Sequence, residues 1–358
     1  MKPAASNFLG VITPDEVEHL RKSARGGLTH PVPRLALAKG PNQVATNTRE
    51  AARSLLRTDA DWLFRLKPRL TDTTDFSNAS SALGEIRAYG ALLETAMTVR
   101  PCPTVAGKKP EFEVDAGDGP AIVEVHSRQL DEKQVRAIAQ HYKALRERVQ
   151  ATRAANPGKP TITMSEMEVI PFGAPDPKKS GDSVLTNAIS RVCSIKSNEE
   201  QSDPEKPFVL WLDLQDPTVW GLPMADEQLA PLYTEGRDGN VGVGALWFAL
   251  YGRKNDPILE MQGCDYRAIR MLHDGRFVRT NRVAAVVYSL PHRTVLMEHP
   301  SPARPVTPKF RASLLKVPFF ALDRSVCEWK PGLVTSYLDF QREMVDAAAK
   351  ALVAFNPP

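Results

Sequence analysis

Hydrophobic positions in the first part of the chain recur at helical spacing between loop-rich stretches. Pro14 precedes Asp15 and Glu16, and a proline followed by acidic residues is typical of the first turn of a helix. The stretch 46–66 repeats leucine and phenylalanine at helical intervals. The pattern therefore predicts a helical N-terminal segment at residues 1–79.

The middle of the chain alternates between helical and strand patterns. A helix is predicted at 81–97, where apolar residues at steps of three and four form one stripe, namely Ala82, Ile86, Tyr89, Leu93 and Met97. Short runs of apolar and β-branched residues then predict strands, and an amphipathic run predicts a long helix. In chain order these are strands at 98–103, 111–114 and 121–126, the helix at 128–153 and a buried strand at 208–214.

This order of elements predicts an α/β fold with a mixed central sheet flanked by helices. We assign residues 80–215 to the core and residues 216–358 to a C-terminal α/β extension that packs on the core or extends it. Further elements are predicted as strands at 161–170, 244–251 and 282–290 and as helices at 184–195 and 333–355.

Composition narrows the class of protein only slightly. The net charge of +4 tolerates a polyanionic partner without requiring one. Four cysteines lie far apart without zinc spacing, the N-terminus lacks a signal-peptide pattern, and the apolar stretch 241–250 is too short to span a bilayer. We therefore expect a soluble cytoplasmic protein with reduced thiols and no membrane partner.

Two acidic residues stand out on neighbouring strands. Glu111 begins one strand, and Glu124 interrupts the next strand, which is otherwise apolar. Residues two apart on a strand share a face, so Glu124 and His126 project together, and a hairpin would bring Glu111 beside them. Clustered carboxylates repel each other unless a cation lies between them, and carboxylate oxygens suit Mg²⁺ or Mn²⁺. The sequence therefore predicts a metal site formed by Glu111 and Glu124.

These residues resemble the motif of the PD-(D/E)XK, or restriction-endonuclease-like, nucleases. In that family Pro-Asp on one strand precedes Asp/Glu-X-Lys on the next, after a helix that often carries a glutamate. Here Pro110-Glu111 stands at the first position, Glu124-Val125-His126 at the second, and Glu85 on the preceding helix. The resemblance covers residues 80–214 and implies a restriction-endonuclease-like core.

The resemblance implies metal-assisted hydrolysis of a phosphodiester bond. Glu111 and Glu124 would hold the Mg²⁺ or Mn²⁺ ion, His126 would orient or deprotonate a water, and Glu85 would complete the outer shell. A helix-edge salt bridge is the alternative interpretation of Glu85. The basic helix that follows the motif would hold the phosphate backbone of the nucleic acid, with contacts from Arg128, Lys133, Arg136 and Lys143.

Two departures from the family motif leave a second interpretation open. Glu111 replaces the usual aspartate, and His126 replaces the usual lysine. One hypothesis is an active nuclease, with DNA as the expected substrate, serving restriction or genome defence. The other is a catalytically inactive module that binds nucleic acid or a protein partner. The sequence does not distinguish DNA from RNA or single from double strands, and both a homodimer and a partner subunit stay open.

Overall fold

A six-stranded mixed sheet organises the protein in a computed structural model of the chain. The structural account covers residues 7–23, 29–95, 97–102, 110–127, 132–160, 162, 189–190, 192–195, 203–215, 232–236, 239–243, 245–255, 257–262, 265–291, 294–314, 316–317 and 350. The predicted strand at 161–170 lies almost entirely outside these ranges, the predicted helix at 333–355 does so too, and the predicted helix at 184–195 lies only partly inside them.

The strands fall into one large sheet and two hairpins. In the large sheet the order is β1-β2-β3-β4-β9-β10, where the pairs β3/β4 and β4/β9 are parallel and the others antiparallel. Strands β5 and β6 pair with each other, as do β7 and β8. The strands are β1 Thr98–Pro101, β2 Phe112–Asp115, β3 Pro120–Ser127, β4 Phe208–Asp213, β5 Leu232–Gly236, β6 Gly239–Val243, β7 Pro257–Gln262, β8 Asp265–Arg270, β9 Val283–Ser289 and β10 Thr294–Glu298.

Helices precede the sheet and connect its strands. Thr13 begins the first helix with a capping box to Glu16, and Asn42 and Asp75 cap later helices by accepting backbone N–H bonds. The helices are α1 Pro14–Lys22, α2 Pro31–Ala36, α3 Gln43–Thr58, α4 Ala60–Arg65, α5 Lys67–Leu70, α6 Phe76–Glu94, α7 Glu132–Ala155, α8 Ala245–Tyr251, α9 Arg276–Arg279 and α10 Pro308–Leu314.

The central strands are buried on both faces because apolar side chains alternate toward two different cores. Val123 and Val125 of β3 pack in a core that includes residues of the N-terminal helices. Ile122 of β3 and Leu210 of β4 pack in a second core with α8. The region beyond residue 215 extends the sheet, since β9 pairs with β4.

Helix α6 approaches its neighbours unusually closely at two glycines. A Cβ atom at Gly90 would lie 2.5 Å from the Cα of Ala51 in α3, and one at Gly84 would overlap the Oγ of Ser127 at the end of β3. Only a residue without a side chain allows such an approach. Gly84 therefore brings α6, and with it the adjacent Glu85, against the strand that carries Glu124.

The structure confirms the α/β class and corrects one element. The predicted strand at 244–251 is wrong, because Ala245–Tyr251 is a helix whose residues from Leu246 to Tyr251 are buried. A short continuous apolar run fits a buried helix as well as a buried strand, so periodicity alone could not separate them. In the part of the chain described above, no helix is long and apolar enough to cross a membrane.

Candidate active site

Glu111 lies where the β2–β3 ladder ends. The last paired residues there are Phe112 and Val123, and one carboxylate oxygen of Glu111 accepts a hydrogen bond from the backbone N–H of Val125 at 2.7 Å. The side chain thus replaces the missing strand partner of that N–H group. The backbone carbonyl of Glu111 accepts a bond from Cys102 at 2.9 Å, which fixes the residue from its other side. The hairpin therefore places Glu111 beside β3, as the sequence predicted.

Glu124 and His126 lie on β3 on the face opposite to Val123 and Val125. Glu124 is buried, whereas the side chain of His126 is 29% exposed. The Nε2 atom of His126 lies 3.1 Å from Oε1 of Glu124. When a neutral His126 carries its proton on Nε2, this N–H donates a hydrogen bond to Glu124. The Nδ1 atom is then left able to accept a proton. The pair can therefore present a basic nitrogen at a partly exposed position.

Glu85 projects from α6 and forms a bidentate ion pair with Arg69 of α5. The two hydrogen bonds measure 2.8 Å and 2.7 Å, and the side chain of Glu85 is 12% exposed. This contact agrees with the salt-bridge interpretation of Glu85. The charges of Glu85 and Glu111 also interact, so Glu85 remains electrostatically linked to the carboxylates that follow it in the chain.

Burial and like charge act together on Glu111. Burial and then the charges of Glu85 and Glu124 raise the pKa of its carboxyl, the Val125 N–H lowers it, and the net result is a pKa of about 8. Burial alone would lower the pKa of the Arg69 guanidinium, but its bond to Glu85 and the charges of Glu85 and Glu111 raise it. The site therefore combines crowded carboxyl groups with a permanent cation, Arg69.

The predicted nucleic-acid-binding residues are not joined to this cluster by any described contact. Arg128 lies outside the described residues, and Lys133 and Arg136 belong to α7, where their side chains are not described. Lys143 is exposed, with its Nζ atom 4.0 Å from Glu147 on the same helix. Its environment is therefore that of a solvated helix face.

Sequence reasoning missed a second charged pair, close to Gly84. Arg87 of α6 donates to both carboxylate oxygens of Asp213 at the end of β4, one of them at 2.9 Å, and also to Thr48 of α3 at 3.1 Å. All three residues are buried. An acidic residue that ends the apolar strand β4 was the available signal, because a buried acid requires a partner. The pair fixes α6, and hence Glu85, to the sheet.

A site with three or more metal-binding side chains (His, Cys, Asp or Glu) is not found in the described residues. Comparisons with protein-family models, with curated proteins and with solved structures find no match to this chain.

Proposed function

We propose that the protein is a metal-dependent nuclease with a restriction-endonuclease-like core. The observation that carries the proposal is the position of Glu111, whose carboxylate meets the Val125 N–H directly beside Glu124. The order of α6, β1, β2, β3, α7 and β4, with β3 and β4 parallel, supports the resemblance to that nuclease core. Neither feature depends on the region beyond residue 215.

The carboxyl groups of Glu111 and Glu124 are suited to bind a divalent ion, which would stabilise their charged forms in this buried position. Repulsion between them contributes to the raised pKa of Glu111, and a cation would relieve it. Mg²⁺ commonly takes one or two carboxylates and keeps several waters, so two acidic ligands meet its needs. When bound, Mg²⁺ or Mn²⁺ would supply Lewis acidity toward a phosphate oxygen and a water.

The remaining residues have roles that follow from their contacts. His126, with Nε2 directed at Glu124, would accept a proton from the attacking water at Nδ1. Glu85 would hold the outer shell through its ion pair with Arg69. The nucleic acid, which we take to be DNA, would lie along α7, whose Lys143 is exposed. We place the protein in the cytoplasm, where its cysteines would remain reduced.

A catalytically inactive module that binds nucleic acid or a protein partner is the second candidate. The observation that favours it is the bidentate ion pair that already engages Glu85 with Arg69. In addition, His126 stands where the resembled family has lysine. Such a module would bind its partner without Mg²⁺.

The deciding experiment is cleavage of labelled single- and double-stranded DNA and RNA with Mg²⁺, Mn²⁺ or EDTA. Wild type is compared with Glu124→Gln and His126→Ala, and Glu50→Gln, an exposed acid on α3, is the matched control. The nuclease proposal expects metal-dependent cutting that Glu124→Gln abolishes and Glu50→Gln leaves unchanged. If wild type cuts nothing yet binds nucleic acid in EDTA, the inactive module replaces the nuclease.

A further inference from the structure

Arg69 is a permanently charged arginine that contacts Glu85, and it comes from α5 rather than from the sheet. Its two terminal nitrogens donate to the two oxygens of Glu85, at 2.8 Å and 2.7 Å. The side chain is nevertheless 37% exposed. The ion pair therefore holds a guanidinium that is partly buried, on a side chain that still reaches solvent.

The guanidinium retains donors for another anion. It has five N–H groups in a fixed plane, and an end-on bidentate pair uses two of them. Within the described part of the chain, the hydrogen bonds of Arg69 go to Glu85 alone. The Nε–H and the outer N–H groups thus face directions that Glu85 does not occupy, on a partly exposed side chain.

A positive donor is needed here because the neighbouring carboxylates carry negative charge. Glu85 and Glu124 would repel the phosphate of an approaching nucleic acid, as Glu111 would once it loses its proton, and His126 carries a charge only when it is protonated. Arg69 interacts electrostatically with Glu111 as well as with Glu85. A positioned arginine is well suited to bind a phosphate through parallel N–H bonds.

We propose that Arg69 binds the phosphodiester group that faces Glu111, with Glu85 fixing the orientation of its guanidinium. This inference rests on the proposed nuclease function and adds a phosphate-binding residue to it. Arg69 would then act on the substrate directly, beyond its structural contact with Glu85.

The test must separate phosphate binding from the support of Glu85. Arg69→Gln and Arg69→Lys are each made in the wild type and in a Glu85→Gln background, where the ion pair is already lost. Arg53→Gln is the control, because it removes the same charge from an exposed arginine of α3. Two quantities are measured: kcat and KM for cleavage in Mg²⁺, and the salt dependence of duplex binding in EDTA.

We expect Arg69→Gln to lower kcat by about 100-fold in the wild type, with little change in KM, because a lost transition-state donor costs about that much. In the Glu85→Gln background the loss of kcat should be smaller but still measurable, because the guanidinium is present there without its fixed orientation. Arg69→Lys should recover part of the loss. The slope of log K against log salt should fall by about 1 for Arg69→Gln and not for Arg53→Gln.

The outcomes distinguish this inference from the proposed function. If wild type cuts but Arg69→Gln changes neither the slope nor kcat in the Glu85→Gln background, Arg69 serves only to hold Glu85 and the inference is wrong. If wild type does not cut but the slope still falls with Arg69→Gln, the nuclease proposal fails while the phosphate contact stands. If wild type binds no nucleic acid, both fail.

Discussion

The carboxylate of Glu111 accepts the backbone N–H of Val125 at 2.7 Å, one residue beyond Glu124. A side chain thus continues the strand pairing past the point where the β2–β3 ladder stops. This hydrogen bond holds the Glu111 carboxylate in one position beside β3. It also places a carboxyl of raised pKa next to the buried Glu124.

The stability of the metal-free protein should fall as the pH rises from about 5 to 9. The pKa of Glu111 is about 8 in the fold against an ordinary value of 4.5, so the folded protein binds more protons than the unfolded chain in this range. The stabilising proton is present below pH 4.5 and lost as the pH passes 8. Glu111→Gln should therefore be more stable than wild type at pH 9 by on the order of 2 kcal/mol.

Urea unfolding in EDTA at pH 6 and pH 9 would measure this difference. Glu50→Gln, on the exposed face of α3, is the control for a general loss of acidic charge. Equal stability differences for Glu111→Gln at both pH values would show that Glu111 does not carry the extra proton.

Binding of Mg²⁺ or Mn²⁺ should release a proton at pH 7 and almost none at pH 9. Glu111 is largely protonated at pH 7, since its pKa is about 8, and a metal ligand must be deprotonated. The affinity should thus rise by up to about tenfold per pH unit below 8. Calorimetry at pH 7 in two buffers of different ionisation enthalpy counts the proton. A heat of binding that is the same in both buffers would contradict Glu111 as a ligand.

The sequence predicted what depends on short-range pattern and missed what depends on distant contacts. Glu111 and Glu124 belong to one hairpin, so strand alternation and a turn were enough to bring them together. Arg69 and Arg87 meet their acidic partners only because α5 and α6 pack as they do. No local periodicity encodes that packing.

The packing of α6 should depend on Gly84. A Cβ at this position would overlap the Oγ of Ser127 and lie 3.1 Å from Oδ2 of Asp213, so in Gly84→Ala the Ser127 hydroxyl must rotate away and the buried Asp213 side chain must shift. We expect a loss of about 2 kcal/mol in unfolding free energy, as for overpacked cores. The rate of cleavage should also fall, even at temperatures where the variant is fully folded, because a shift of α6 displaces Glu85.

Thermal or urea unfolding and cleavage assays on the same preparation would compare the two effects. Ser81→Ala, a half-buried position of the same helix, is the control. Full cleavage activity in a destabilised Gly84→Ala protein would show that the close approach of α6 serves stability alone.

Removing one partner of the buried pair between Arg87 and Asp213 should lower the free energy of unfolding strongly, whereas replacing both by apolar residues should lower it little. Both side chains are at most 4% exposed, so Asp213→Asn leaves the Arg87 charge without its partner and should cost about 3–5 kcal/mol. The combined change Arg87→Met with Asp213→Leu removes both charges and should recover most of that loss. Urea unfolding of Arg87→Met, of Asp213→Leu and of the double variant gives the coupling energy. If the double variant were as unstable as the sum of the single ones, the pair would not be a coupled unit, and α6 would be held to β4 mainly by the apolar packing around it.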